Sequence, residues 1–144
     1  MKRERNISAL IYSANVMIKW KFQEVLKEYD INTEQWIILG RLYNKSGELN
    51  QKELAKDTNK EQASITRIIN KLEKKGLVKR IASERDRREY LIHITDGGRE
   101  RYDQTLPKMN EIETAIADMV DGDDRDHFID TLIGLVEGLK EYHL

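Results

Sequence analysis

Between Lys60 and Lys75 the sequence reads KEQASITRIINKLEKK, and two classes of side chain interleave in it at helical spacing. Ile65, Ile68, Ile69 and Leu72 recur at steps of three and four and mark one apolar face. The opposite and flanking faces then carry Lys60, Gln62, Ala63, Ser64, Thr66, Arg67, Asn70 and Lys71. The chemistry open to such a face is the reading of base edges: Gln and Asn suit adenine, Arg suits guanine, and Ser or Thr suits either. A solvated amphipathic helix would look the same in isolation, so the flanking sequence has to decide.

A second cluster, SERDRREY from Ser83 to Tyr90, sets three arginines among three acids. Turn geometry asks only for residues such as Asn, Gly, Ser or Asp, so three guanidinium groups exceed its needs. Arg87 or Arg88 would suit a minor groove, whose negative potential attracts guanidinium groups. Asp86 gains nothing from phosphate and is expected to hold an arginine fork and tighten the turn. The alternative is a solvated loop whose arginines pair with Glu84, Asp86 and Glu89, adding little at an exposed site. The charge balance favours contact. Gln51 to Tyr90 holds twelve Lys or Arg against seven Asp or Glu, whereas the remainder holds thirteen against nineteen. A net charge of -1 thus conceals a basic middle between acidic flanks. Lys60, Lys71, Lys79 and Arg80 are the expected phosphate contacts.

Other chemistries find no support. His93, His127 and His143 are dispersed, and DGDDRDHFID lacks the order of a calcium loop and reads as acids favouring a helix start. Glycine-rich phosphate loops, nucleophile elbows and zinc-helix motifs are missing from the sequence. With zero cysteines, disulfides, thiolate metal sites and cysteine redox sensing are excluded. The expectation is a protein that is not an enzyme and needs no cofactor or metal. No run of about 18 apolar residues occurs, and MKRERNISALIYSANVMIKWKF interleaves charge throughout, so a soluble, cytoplasmic protein is expected.

The elements that would position these residues are legible from periodicity. A chain of 144 residues suits one domain with helical extensions, and its one proline and 35% charged residues suggest long exposed helices. Ile7, Leu10, Ile11, Ala14, Met17, Ile18, Phe22 and Val25 predict a helix over about 6–28. Thr33 is the expected N-cap of a second helix through Trp36, Ile37, Leu39 and Leu42, ending near Ser46-Gly47. Asn50 with Glu53, and Asn59 with Gln62, predict two capping boxes that open successive short helices, the second stopping at Gly76. From Leu77 the period becomes two, through Val78 and Ile81 and then Leu91, Ile92 and Ile94, which makes a hairpin with SERDRREY at its tip. Thr95–Gly98 starts a long helix that Pro107 should kink or divide, and Phe128, Leu132, Leu135, Val136 and Leu139 stripe a last helix.

This order resembles the MarR family of winged helix-turn-helix transcription regulators. The resemblance is carried by INTEQWIILGRL, by QKELAKDTNKEQASITRIINKLEKKGLVKR and by DRREYLIHITDGG. Within them Trp36, Leu54-Ala55, Thr66-Arg67, Leu72-Glu73 with Gly76-Leu77-Val78, and Asp86 with Arg88 match the family pattern. It implies a mainly α fold with a small β-hairpin wing, flanked by N- and C-terminal dimerisation helices. The division implied is 1–32 for the first dimerisation helix, 33–98 for the DNA-binding domain and 99–144 for the last helices. Arg88 becomes the wing arginine and Arg87 an additional donor. The function implied is a homodimeric, sequence-specific regulator, more often a repressor, on a palindromic DNA operator. A small aromatic or phenolic effector would wedge between the dimerisation helices and the reading heads, with Tyr12, Trp20, Trp36 and Tyr43 as lining residues. Apolar stripes on the terminal helices need a cover, and a second copy on a two-fold axis supplies one. A folded-back helical cap on a monomer, or a winged helix that binds protein without DNA, would be the alternatives.

Overall fold

The computed structural model describes residues 5–144, so the first four residues of the interleaved N-terminal stretch lie outside those described. Its elements are α1 (Ile7–Leu26), a 3-10 turn (Lys27–Tyr29), α2 (Thr33–Lys45), α3 (Gln51–Asp57), α4 (Gln62–Lys74), β1 (Val78–Ala82), β2 (Tyr90–Ile94), α5 (Asp96–Asp118) and α6 (Arg125–Glu141). Residues as far as Lys108 form one compact unit, and Met109–Leu144 form another.

Local chemistry explains most of the boundaries in the first unit. Asn6 caps α1 by accepting from the Ala9 amide at 3.2 Å. The N-cap of α2 is Asn32, not Thr33 as expected: Asn32 accepts from the Gln35 amide at 2.8 Å, and the Gln35 side chain accepts from the Asn32 amide at 3.0 Å. Two orphan donors are satisfied reciprocally, which a threonine one residue later cannot do, and Thr33 instead donates from both its amide and its hydroxyl to Gln23 Oε1. The capping box of Asn50 and Glu53 forms as predicted.

The second predicted box does not form. Asn59 has φ 55, a left-handed turn conformation that closes α3, whereas an N-cap needs extended backbone. Glu61, with φ -71 and ψ 147, takes the N-cap of α4 and offers no side-chain bond. At the other end the left-handed Gly76 allows the Gly76 amide to reach the Glu73 carbonyl and the Leu77 amide to reach the Leu72 carbonyl, both at 3.0 Å. This closes α4 and turns the chain directly into β1.

β1 and β2 pair antiparallel, with Val78 opposite Ile94, Arg80 opposite Ile92 and Ala82 opposite Tyr90. The outer edge of β2 is not left bare: Gly47 donates to the Ile92 carbonyl and Ile92 donates to the Leu49 carbonyl, each at 2.9 Å. Leu26, Ile38, Leu39, Leu42, Leu54, Ile65, Ile69, Leu72 and Ile92 are wholly buried, so the core joins the end of α1 with α2, α3, α4 and the hairpin base. Thr95 caps α5, accepting from the Gly98 amide at 3.0 Å while donating to the Gly76 carbonyl at 2.6 Å. Pro107 does not divide α5. It removes one N–H from the ladder, while Thr105, two residues earlier and fully buried, is fastened by the Trp36 indole at 3.0 Å.

In the second unit, Asp121 opens the turn between α5 and α6 by accepting from the Asp123 amide at 3.0 Å, and Asp124 is the N-cap of α6. Arg125 grips the preceding turn through the Val120 carbonyl at 3.3 Å and Asp118 at 3.6 Å. Ile129, Ile133, Val136 and Leu139 of α6 lie exposed, as do Ile7, Leu10 and Ile11 of α1 in the first unit. No helix among the described residues is long and apolar enough to cross a membrane.

Candidate nucleic-acid interface

α4 buries Ile65, Ile68, Ile69 and Leu72 and leaves Gln62, Ala63, Arg67, Asn70 and Lys71 exposed, with Ser64 and Thr66 half-buried between them. The residues picked out by periodicity therefore share one surface. Arg67 Nη2 lies 3.3 Å from Ser64 Oγ and bridges one turn of it. Because Glu61 gives no side-chain cap, the first amides of α4 keep their positive dipole end toward solvent. Lys52 and Lys56 of α3 and Lys60 of the turn flank that end, lining a cleft with Gln62. Glu53 also lines this cleft, and Lys60 lies 3.7 Å from Glu34, so among the described residues Lys52 and Lys56 are the cations there that no acid engages.

Arg80 departs from expectation. Period two along β1 places it on the same side as buried Val78, not out with exposed Lys79, and its guanidinium is occupied within the protein. Nε donates to Gln51 Oε1 at 2.9 Å, Nη1 to Glu73 Oε1 at 2.9 Å and Nη2 to Asn70 Oδ1 at 2.7 Å. Gln51 passes the connection on, its Nε2 donating to Thr66 Oγ1 at 2.9 Å. A group expected to meet phosphate is thus the tie between α3, α4 and β1. Gln51, the first residue of α3, went unnoticed because nothing in its sequence position distinguishes it from a solvated residue.

The wing is held by its backbone rather than by ion pairs. Asp86 Oδ1 accepts from the Arg88 amide at 2.9 Å and the Asp86 carbonyl accepts from the Glu89 amide at 3.1 Å. Asp86 therefore tightens the turn as expected but holds no arginine fork, and among the described residues no ion pair joins Arg85, Arg87 or Arg88 to an acid. All three arginines are exposed. Glu89 accepts from Asn50 Nδ2, which anchors the wing to the capping residue of α3. Between wing and helix lies a cleft lined by Asn50, Lys52, Arg80, Arg88, Glu89 and Tyr90.

The four aromatic residues singled out earlier do not gather. Tyr12 and Trp20 of α1 are 71% and 63% exposed. Trp36 and Tyr43 are linked through Tyr102, whose ring stacks on Trp36 at 5.4 Å and tilts against Tyr43 at 5.1 Å. Tyr102, on α5, is the ring between them. Arg99 covers the Tyr43 ring at 5.0 Å. Both phenols ionise above the usual value, Tyr43 chiefly because its hydroxyl bonds the Asp103 carboxylate and Tyr102 chiefly because burial disfavours its charged form. Among the described residues no three His, Asp or Glu side chains are grouped to hold a metal ion.

A head of this geometry has known counterparts. The model of the MarR family matches residues 31–90, which span α2 to the start of β2. The HTH-type transcriptional regulator YdgJ of Bacillus subtilis (strain 168) is 30% identical over 129 residues, covering 90% of this chain and 76% of YdgJ. Among solved structures, MepR of S. aureus in complex with DNA superposes with a TM-score of 0.88 at 23% identity, covering 94% of this chain and 99% of that one. The transcriptional repressor CouR, bound to a 23-mer DNA duplex, gives 0.82 at 20% identity over 94% of this chain and 99% of its own. At such identities these two structures speak for the fold, a mainly helical winged helix with a two-stranded hairpin. Family model and curated relative agree on the rest: the chain belongs to the MarR family of helix-turn-helix transcriptional regulators.

Proposed function

We propose that this regulator binds double-stranded DNA sequence-specifically as a homodimer and represses transcription until a small ligand releases it. The observation that carries the reading is the single exposed surface of α4, where Gln62, Arg67, Asn70 and Lys71 stand above a buried isoleucine row. In this reading Gln62, Ala63, Ser64, Thr66, Arg67, Asn70 and Lys71 meet the major groove, and Arg87 and Arg88, set by Asp86, reach a flanking minor groove. Residues 33–98 act as the reading head, and 1–32 and 99–144 as dimerisation segments. The exposed apolar residues of α1 and of α6 support a second copy as their cover, and two copies match the half-sites about 10 base pairs apart that paired recognition helices require. Repression is the role named for CouR, and a dimer lying across a promoter blocks access to it.

For the ligand, the half-buried ring cluster of Trp36, Tyr43 and Tyr102 offers flat apolar faces beside a polar hydroxyl, which suits a small phenol. Tyr12 and Trp20 could then line the site from α1 of the second copy. Such a ligand acts only through its different affinity for two head spacings. Selection from a random duplex pool tests the core of the proposal. An enriched inverted repeat with two chains per duplex is expected, and Arg67→Ala should bind it weakly while remaining folded. A pool without enrichment would leave the winged helix as a module that binds protein alone.

A further inference from the structure

A guanidinium has five N–H donors and no acceptor, so any amide it touches must present oxygen to it. Arg80 therefore fixes more than position. At 2.7 Å from Arg80 Nη2 the Asn70 atom must be Oδ1, and at 2.9 Å from Arg80 Nε the Gln51 atom must be Oε1. Gln51 then has only its amide nitrogen for Thr66, so the Thr66 hydroxyl accepts there at 2.9 Å and spends its proton on the Gln62 carbonyl at 3.0 Å. The polarity of two residues on the α4 surface follows from one arginine on β1.

We propose that Arg80 is a specificity-determining positioning residue: it turns Asn70 into a hydrogen-bond donor and Thr66 into an acceptor toward the major groove. The proposal rests on the DNA-binding reading above and deepens it. Asparagine recognises adenine by giving its amide nitrogen to N7 and its oxygen to the N6 amino group, both at once. With Oδ1 turned to Arg80, the oxygen and the NH2 no longer face one base edge together, and the NH2 is the group Asn70 presents. Guanine, with acceptors at O6 and N7, becomes its best partner, and thymine, with O4, the next. Adenine loses the contact to N6, and cytosine offers only a donor. Thr66 likewise has no proton left for a base, which leaves a methyl group and one lone pair. A residue type that points to adenine in isolation is thereby redirected.

Site selection with four proteins tests this. Asn70→Ala identifies the base pair that residue 70 reads, as the one position where preference is lost. At that position the wild type should enrich guanine or thymine. Arg80→Met, checked for folding by circular dichroism, should raise the adenine-to-guanine ratio there by about tenfold, the scale of one bidentate base contact. A purely structural role for Arg80 would weaken all sequences alike and leave that ratio unmoved. Asn70→Asp keeps an acceptor for Arg80 and gives the groove a carboxylate oxygen, so its preference should move to cytosine through N4. Adenine in the wild-type site, or one unchanged preference across Arg80→Met and Asn70→Asp, would overturn the proposal. No enriched site for the wild type would instead remove the DNA-binding reading beneath it.

Discussion

Replacing Gly98 with alanine should loosen the junction between the wing and α5 by about 2–3 kcal/mol. Gly98 is buried in the first turn of α5, against the chain as it enters β1. A Cβ there would lie 2.7 Å from Ile94 Cγ1 and 3.1 Å from the Leu77 carbonyl carbon, and nearer still to the Leu77 oxygen. Carbon atoms pack best about 3.5–4.0 Å apart, so the deficit approaches 1 Å. The oxygen cannot swing aside as a side chain would, because it accepts from the Thr95 amide at 3.1 Å. Overpacking of this kind costs about 1–3 kcal/mol, and displacing the carbonyl forfeits a hydrogen bond worth about 1 kcal/mol. Alanine's better helix propensity returns at most about 1 kcal/mol. Urea titration at fixed protein concentration measures the difference, since association would otherwise shift the midpoint. Gly76→Ala is the control. Its Cβ meets nothing within 4 Å, and φ of +73 alone should cost about 1 kcal/mol. If Gly98→Ala falls within about 0.5 kcal/mol of wild type, or costs less than Gly76→Ala, the close approach is not what fixes this junction.

Three further outcomes are expected. Thr105→Val should cost about 1–3 kcal/mol in the same titration, because the Trp36 indole N–H, now 3.0 Å from Thr105 Oγ1, would be left without its acceptor; an unchanged midpoint would show that water replaces it. Arg88→Ala should lose affinity most on sites with A·T-rich flanks, as measured by fluorescence anisotropy, whereas equal losses on every flank would indicate a plain phosphate contact. Tyr43 and Tyr102 should ionise late in an ultraviolet titration. Since both keep their protons in the folded state beyond the ordinary tyrosine range, the stability they contribute is complete below that range and is lost as pH rises through their folded values. Asp103→Asn should bring the Tyr43 transition down, and a curve indistinguishable from wild type would exclude Asp103 as its main cause.

Much of the fold was legible because period and punctuation agree. Helical spacing at Ile65, Ile68, Ile69 and Leu72 buries the face it predicts, and in the hairpin Val78, Ile92 and Ile94 turn inward while Ile81 is exposed and Leu91 only half-buried. Capping was less legible where several Asn and Thr residues compete within a few positions. Thr33 and Asn59 are both plausible caps by type, but only Asn32 stands three residues before a glutamine that reaches back, and Asn59 serves instead as a left-handed turn residue. The grouping of the aromatic residues was hidden for another reason. Tyr12 and Trp20 share α1 with the apolar residues around them, yet spacing within one helix says nothing of what lies opposite, and the ring that joins Trp36 to Tyr43 comes from Tyr102, some sixty residues away.

Charge counting was the least faithful guide, and the reason bears on how the head meets DNA. The basic surplus between Gln51 and Tyr90 treats every cation as available. Arg80 is taken by Glu73 at 2.9 Å within that segment, while Lys60 and Lys75 face Glu34 at 3.7 Å and Asp30 at 3.6 Å outside it. Lys75 also donates to the Asp30 carbonyl, so it fastens the end of α4 to the corner between α1 and α2. The exposed cations without such partners, Arg67, Lys71, Lys79, Arg87 and Arg88 among them, are the ones left to displace counterions from a duplex. Each phosphate contact lowers the slope of log affinity against log salt by about 0.9, so removing Lys71 or Lys79 should flatten it by roughly that amount. Removing Lys75 should leave the slope alone and act through the α4 corner. Equal flattening by all three would mean that exposed and paired lysines contribute alike, and that the division between contact and scaffold drawn from their partners is wrong.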